Sequence, residues 1–515
     1  MENPLLAQET LPAFKSIRPE HVEPAVREVL AAGRERIGEL ATLASPTFAS
    51  VVVPLEELRH KIARTWSPVS HLNAVQNSEG LRGHYNACLP LLSAYHTDLA
   101  QSEPLYQAFR TIAQSESASL GPVQRQLLEH VVRDFRLAGV GLPPERKERF
   151  KTAMLELSQL QAKFEENVLD ATNSWSRHVT DSGELRGLNE MLIEAARQRA
   201  HERNLPGWIL TLDQPTYVAV VTDAESATLR RAFYEAWSTR ASDQGPSAGR
   251  WDNSAVMEDI LRRRHEAAQL LDFPNYAAYA LATRMAHSVD EVLGFLSELA
   301  GSARDAARNE FAQLESFAGT RLNAWDVGFY SERLQRERFN VSQEELRPYF
   351  PLPRVLAGLF EVAERLFDVR IRERTGVPLW HEDVRFFDIS SSSGTAIGSF
   401  YLDAYARPSK RSGAWMDECV GRKRLSSGEA LPVAYLVCNF LPPGGQRPAL
   451  LTHDDVVTLF HEFGHGLHHL LTRVDYPSIA GINGVAWDAV ELPSQFMENY
   501  AWQPDVLARI CGHFE

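Results

Sequence analysis

The stretch THDDVVTLFHEFGHGLHHLL, residues 452–471, carries the reading of this chain. Thr452 is placed to cap a helix, and Asp454 and Asp455 lie where the first helical turn favours anions. Thr452 and Asp455 together approximate a capping box. At about 100° per residue from His461, residues Val456, Leu459, Phe460, Phe463, Leu467, Leu470 and Leu471 gather in an arc of roughly 160–280°. His461, His465 and His468 fall within about 40° of zero, on the opposite side. The apolar arc predicts a face turned to a core, and the histidines stand off it.

Two imidazoles one helical turn apart can reach a single ion at about 2.0–2.1 Å. Glu462, one step round the axis, is badly placed to join them but can reach a water held at the ion. A carboxylate there suits a general base that later returns the proton to a leaving amine. His201-Glu202, His265-Glu266 and His381-Glu382 open the same HExxH pattern, and none of them has the second histidine. A catalytic zinc needs a third protein ligand and one open position. Downstream, Gly481 to Gly484 reads as a flexible loop. Pro493 suits the first turn of a helix, which puts Glu491 near that helix's start. A glutamate at such a place is often only a partner for the helix dipole. The HExxH upstream makes Glu491 a ligand candidate, with Glu498 and Asp488 as the other carboxylates in range. Either of those two could instead orient a ligating imidazole through its other nitrogen. His468 and His469 are expected to support the site or face solvent rather than bind.

Most of the remaining chain reads as amphipathic helix, at about 19–44, 144–175, 224–241, 254–271 and 289–317. In the last of these Val292, Phe295, Leu296, Leu299 and Ala300 share a face and Ser288 is placed as the cap; the stripe predicts packing into a core. Strand-like stretches come at 208–221, alternating around Asp213-Gln-Pro, and at 384–405, read as two strands joined by the turn 390–394. A third, 431–440, is a short apolar run stopped by Leu441-Pro-Pro-Gly-Gly445. The expected fold class is mostly α, with a small sheet just before the histidine helix. Hydrophobic and charged contents of 44% and 23% are those of a globular protein, and a net charge of -14 argues against nucleic acid or anionic membrane as partners. Cys88, Cys419, Cys438 and Cys511 form no CxxC pair, which points to free thiols in a reducing compartment. The first residues have neither a basic region nor an apolar core of signal-peptide length, and no apolar run is long enough to span a bilayer. A cytoplasmic monomer is expected. Arg262 to Arg264 reads as a solvated helix face.

Residues 458–469 and 490–500 together resemble the thimet oligopeptidase family of zinc metallopeptidases. The likeness runs along nearly the whole chain, through NPLL at 3–6, STRASDQGP at 238–246, WDNS at 251–254, LRPYFP at 346–351 and FYLDAYAR at 400–407. Carried over residue by residue, it implies one zinc ion on His461, His465 and Glu491, with Glu462 as general base. It further implies a zincin-like, two-lobed ellipsoid with a deep central channel that admits short unfolded peptides. Residues 1–180 would form one channel wall, and 181–515 the other helical lobe with the zinc-binding region. The run 431–440 would be a candidate edge strand for an extended substrate. The implied activity is cleavage of internal bonds in short peptides. One alternative is a peptidyl-dipeptidase, which needs a cationic group closing the channel. Members of the family also continue past the point matched by Glu515, into a segment whose histidine and tyrosines bind substrate and stabilise the oxyanion. One such donor is worth roughly 2.7–4 kcal/mol. The second alternative is a truncated, non-catalytic fragment that binds zinc and peptide.

Overall fold

Side-chain caps set many of the helix starts. Ser78, Asn189, Asp213, Ser226 and Ser288 each accept an N–H from the third helical residue, satisfying donors that a first turn leaves free. The computed structural model describes residues 3–7, 11–444 and 447–515; Gly445, the last residue of the stop after the apolar run, lies outside them. It begins with α1 (Pro19–Ala41), α2 (Val53–Val75), α3 (Glu79–Ala100), α4 (Glu103–Ser115), α5 (Pro122–Leu137) and α6 (Pro144–Ser174). A ribbon of β1 (Ser176–Val179) and β2 (Trp208–Thr211) flanks α7 (Glu190–Glu202). Then come α8 (Gln214–Asp223), α9 (Ala227–Ser238), α10 (Ser254–Leu270), α11 (Tyr276–Leu281), α12 (Val289–Ala318), α13 (Ala324–Phe339), α14 (Gln343–Leu346) and α15 (Leu352–Phe367). Strands β3 (Val369–Glu373), β4 (Arg385–Ser391), β5 (Ala396–Tyr405), β6 (Trp415–Val420), β7 (Lys423–Leu425), β8 (Gly428–Ala430) and β9 (Val433–Phe440) precede α16 (His453–Leu470), α17 (Leu492–Glu498) and α18 (Pro504–Ile510).

Five of these strands form one sheet in the order β3-β4-β5-β9-β6, antiparallel except for the parallel pair β5 and β9. Alternate residues of its strands enter two different cores. Phe386, Tyr401, Tyr435 and Val437 pack with the N-terminal helices, while Phe387, Phe400, Leu402, Leu436 and Cys438 pack with α15 and α16. Cover on both faces explains why β9 is an almost unbroken apolar run. It also corrects the expectation that 431–440 is an edge: β9 is interior, and β6 is the outer strand beside it.

Two more expectations are overturned. The alternation from 208 to 221 ends as a strand at Thr211, because Asp213 Oδ1 accepts the Thr216 N–H and Pro215 stands in the first turn of α8. The stripe on α12 is not core: Phe295, Leu296 and Leu299 are 65%, 51% and 56% exposed.

A buried ionic cluster ties the sheet to the N-terminal helices. Lys410 Nζ donates to Asp403 Oδ1 at 2.8 Å and to the carbonyls of Tyr405 and Cys438 at 2.7 and 2.6 Å. Arg407 grips both Asp403 oxygens at 2.6 Å and donates to Val75 O of α2, and Trp380 Nε1 donates to Asp403 Oδ2. Burial alone would raise the Asp403 pKa, but the Arg407 hydrogen bonds and the Lys410 charge outweigh it and hold it at about 2. Removing one partner from such a cluster strands buried charge, at about 3–5 kcal/mol. Asp403→Asn is therefore expected to lower the urea midpoint at pH 7 by that equivalent. Because Asp403 titrates below an unfolded value of about 3.9, its contribution is full above that pH. It fades as the pH falls towards about 2, so the difference between variant and wild type should shrink over that window. A constant difference would count against the assignment.

Candidate metal centre

Helix α16 is set by its start and by its underside. Thr452 Oγ1 accepts the Asp455 N–H at 3.0 Å, and Asp455 Oδ2 accepts the Thr452 N–H at 2.9 Å, a reciprocal capping box. Val456, Leu459, Phe460, Phe463, Leu467 and Leu470 are all buried in the core that α16 shares with the sheet. The opposite face is met by the start of α17. Gly464 makes that approach possible: a Cβ on it would lie 2.6 Å from both Pro493 O and Ser494 Cα. Glu491 occupies the position just before α17, and Pro493 stands in the first turn of that helix.

The approach brings three donor atoms together. His461 Nε2 and His465 Nε2 lie 3.2 and 3.1 Å from Glu491 Oε2, and all three ligand atoms fall within 4.8 Å of one another. The Glu491 side chain is half exposed, so the cluster is open to solvent on that side. Ser494, fully buried, donates its hydroxyl to Glu491 Oε2 at 2.9 Å and fixes the carboxylate. His461 Nδ1 lies 2.6 Å from Glu498 Oε1. That hydrogen bond places the ring proton on Nδ1 and leaves the Nε2 lone pair facing the cluster. Glu462 is 5% exposed with Oε2 unpartnered. Burial, with the nearby Glu491 charge adding and His461 opposing, raises its pKa to about 7. Burial likewise lowers the pKa of His465.

Other residues fall outside the cluster. His469 is a core histidine, fully buried, with Nε2 on Val420 O and its pKa pushed down to about 4 by burial. His468 is half-buried. Asp488 orients no imidazole: its carboxylate accepts the Met285 N–H at 2.9 and 3.0 Å and the Ala286 N–H at 3.0 Å, just ahead of α12. Residues 481–484 form a 3-10 turn rather than a loose loop. Gly481 takes φ +55° with a Cβ position 2.9 Å from His469 Cα, which only glycine tolerates. Ser494 and Gly464 were not singled out from sequence, although a hydroxyl three residues past Glu491 and a glycine inside HEFGH were there to be read.

A cavity of about 680 Å³ is lined by His130 and Arg133 of α5, Arg284, Met416 and Asp417 of β6, and Trp487, which stands four residues before Glu491. The outer side of β6 faces it. Glu418 uses its N–H on Asp417 Oδ1 at 2.8 Å and its C=O on Ser67 Oγ at 2.7 Å, not on β9.

Comparison with known proteins agrees on the family. The profile of Peptidase family M3 matches residues 220–515, and that of the Neurolysin/Thimet oligopeptidase N-terminal domain matches residues 26–147. Oligopeptidase A of Escherichia coli is 49% identical over the whole of this chain and 77% of its own length. Dipeptidyl carboxypeptidase of Escherichia coli is 32% identical over the whole chain and 76% of its own. The solved structure of PZ peptidase A superposes with a TM-score of 0.56 over 95% of this chain and 70% of the other, at 14% identity, and so shares the fold. Among the described residues no helix is long and apolar enough to cross a membrane. With a family profile over more than half its residues and relatives that match along its whole length, the chain belongs to peptidase family M3 and is a metallopeptidase of the oligopeptidase type.

Proposed function

We propose that this chain is a zinc-dependent oligopeptidase that hydrolyses internal bonds of short unfolded peptides, with His461, His465 and Glu491 as ligands and Glu462 as general base. The observation that carries the reading is the meeting of two imidazole Nε2 atoms and one carboxylate oxygen, with the unpartnered Glu462 oxygen buried beside them. The donor set fits zinc: two neutral nitrogens and a carboxylate leave a fourth position free. Its second layer fits too, since a ligating imidazole usually hands its other N–H to a carboxylate, as His461 does to Glu498. When bound, zinc supplies a Lewis acid for the scissile carbonyl and lowers the pKa of water.

The protein's own groups do the remaining work. Glu462 takes a proton from the attacking water and delivers it to the departing amine, and its buried position keeps bulk water from competing for that proton. The substrate backbone is read at β6. With both Glu418 backbone groups turned away from β9, the alternation of an antiparallel ladder turns those of Met416 the same way, towards the cavity, where an extended peptide can pair with them. Arg133 and Arg284 line the same cavity and are the cationic groups that a peptidyl-dipeptidase would need for a terminal carboxylate. That second reading predicts loss of cleavage when the substrate's carboxyl end is amidated. Residues 1–180 and 181–515 are proposed as the two facing walls. A monomer in the cytoplasm is proposed from the four unpaired cysteines and the acidic balance.

Glu462→Gln is expected to keep one zinc per chain while kcat on an internally quenched peptide falls by about 10²–10⁴. Cleavage by the variant within threefold of wild type would exclude Glu462 as the base. Glu498→Gln is expected to weaken zinc binding by about 10–100-fold in a chelator competition, with activity recovering as zinc is raised. Unchanged affinity would leave Glu498 without an orienting role.

A further inference from the structure

The arginine run at 262–264 divides on α10. Arg262 pairs with Asp259, and Arg263 pairs with Glu156 and Glu266. Arg264 is half-buried and pairs with no carboxylate among the described residues, so the solvated face expected from the sequence stops short of it. Its guanidinium lies 5.1 Å from the centroid of the Tyr276 ring, and its Nε is buried without a hydrogen-bond partner. Both side chains line a cavity of about 830 Å³ among α2, α3, α5, α6, α10 and α11, and Trp66, Phe135, Met154, Leu157 and Tyr279 supply much of the remaining wall. No apolar side chain of that wall is among the large ones left exposed, so this is a formed pocket and not an uncovered face. It shares no residue with the cavity at β6.

Shape and charge narrow the ligand. Pockets of about 300–1,000 Å³ with apolar walls and a few polar groups hold small organic molecules. Walls built from aromatic rings favour a ring, which can stack on them or meet them edge-on. The charge to be met is single. Arg59 also lines the cavity but is taken by Glu56 at 3.1 Å, and Asp134 is 57% exposed and held by Arg133 at 2.9 Å. Burial, and then the Arg59 charge, lowers the pKa of His96 on the same wall and keeps its ring neutral at pH 7. Arg264 is left as the cation without a counter-ion. A guanidinium presents a planar pair of N–H donors that matches a carboxylate, and one unpaired cation suits one negative charge rather than the several of a nucleotide. We propose that this cavity is a binding site for an aromatic monocarboxylate, free or as the last residue of a peptide, with its carboxylate on Arg264 and its ring among Trp66, Phe135 and Tyr279. The inference uses no group of the metal centre and stands whether or not the zinc reading does.

The probe is 3-(4-fluorophenyl)propionate, followed by its fluorine NMR signal as the zinc-loaded 515-residue chain is added. One saturable site is expected, and it should persist after a chelator has removed the zinc, which separates it from a carboxylate held by the metal. Arg264→Gln should weaken binding at least tenfold with the thermal midpoint unchanged. The neutral amide of the probe should bind the wild-type chain at least tenfold more weakly, an arm that decides the role of charge even if the variant misfolds. Arg284→Gln, in the cavity at β6, should leave the affinity within twofold. On the zinc-free chain, displacement of the probe by acetyl-Ala-Ala-Phe would support the proposal with a peptide end as the ligand. Displacement by 3-phenylpropionate alone would support it with a free acid. Absence of saturable binding would overturn the proposal, as would binding that is lost with the zinc, is shared by the amide, or falls with Arg284→Gln instead of Arg264→Gln.

Discussion

The missing side chain at Gly464 sets the distance on which the candidate site depends. Backbone of α17 lies where a Cβ would be, 2.6 Å from Pro493 O and Ser494 Cα. That closeness carries Glu491, the residue just before α17, over the face that holds His461 and His465. A side chain at 464 would meet that backbone inside van der Waals contact and push α17, with Glu491 at its start, away from the imidazoles that now lie 3.1–3.2 Å from its carboxylate. From below, α16 is held by Val456, Leu459, Phe460, Phe463, Leu467 and Leu470, each worth about 1.5–3 kcal/mol on full burial. Apolar packing underneath and backbone contact above thus determine where three polar atoms meet. The polar atoms themselves attract each other too weakly to do so.

What the centre then contains is costly to bury. Glu462 sits in the interior with an unpartnered oxygen, and burial pushes its pKa up. A core chosen for stability alone would avoid such a group, and local violations of this kind gather at functional sites. The surrounding residues limit the damage: Ser494 holds Glu491 from one side and Glu498 holds His461 from the other. Each removes a rotational freedom that a free ligand set would otherwise have.

Legibility in the sequence followed the range of the interaction. The capping box at Thr452, the buried arc of α16 and the place of Glu491 ahead of Pro493 are set within a few residues, and their signals stand in those residues. The strand 431–440 was also readable as apolar, but its neighbours were not. An apolar run is the same string whether the strand is outer or interior, and only the pairing of β6 (Trp415–Val420) with β9 makes it interior. Asp213-Gln-Pro shows the reverse failure: alternation over 208–221 favoured a strand, and one aspartate cap overrode it. On α12, periodicity named the apolar face correctly yet predicted its burial wrongly, because amphipathicity says which side seeks cover and never whether cover is present. Asp488 was within reach as a carboxylate near the histidines, while its true partners, the N–H groups of Met285 and Ala286, lie some two hundred residues away.

Residues 487–491 concentrate three of these relations in five positions. Trp487 lines the cavity, Asp488 fastens the root of α12, and Glu491 completes the proposed ligand set. A short segment so placed cannot shift at one end without strain at the other, since Val490 is buried between them and Ser494 holds the far side. The hold on the root of α12 and the hold on the carboxylate thus lie three residues apart in one short segment. The aim of the Glu491 carboxylate is set by contacts on both sides of that segment, the Asp488 hold on Met285 and Ala286 and the Ser494 hydroxyl, as well as by the imidazoles of α16.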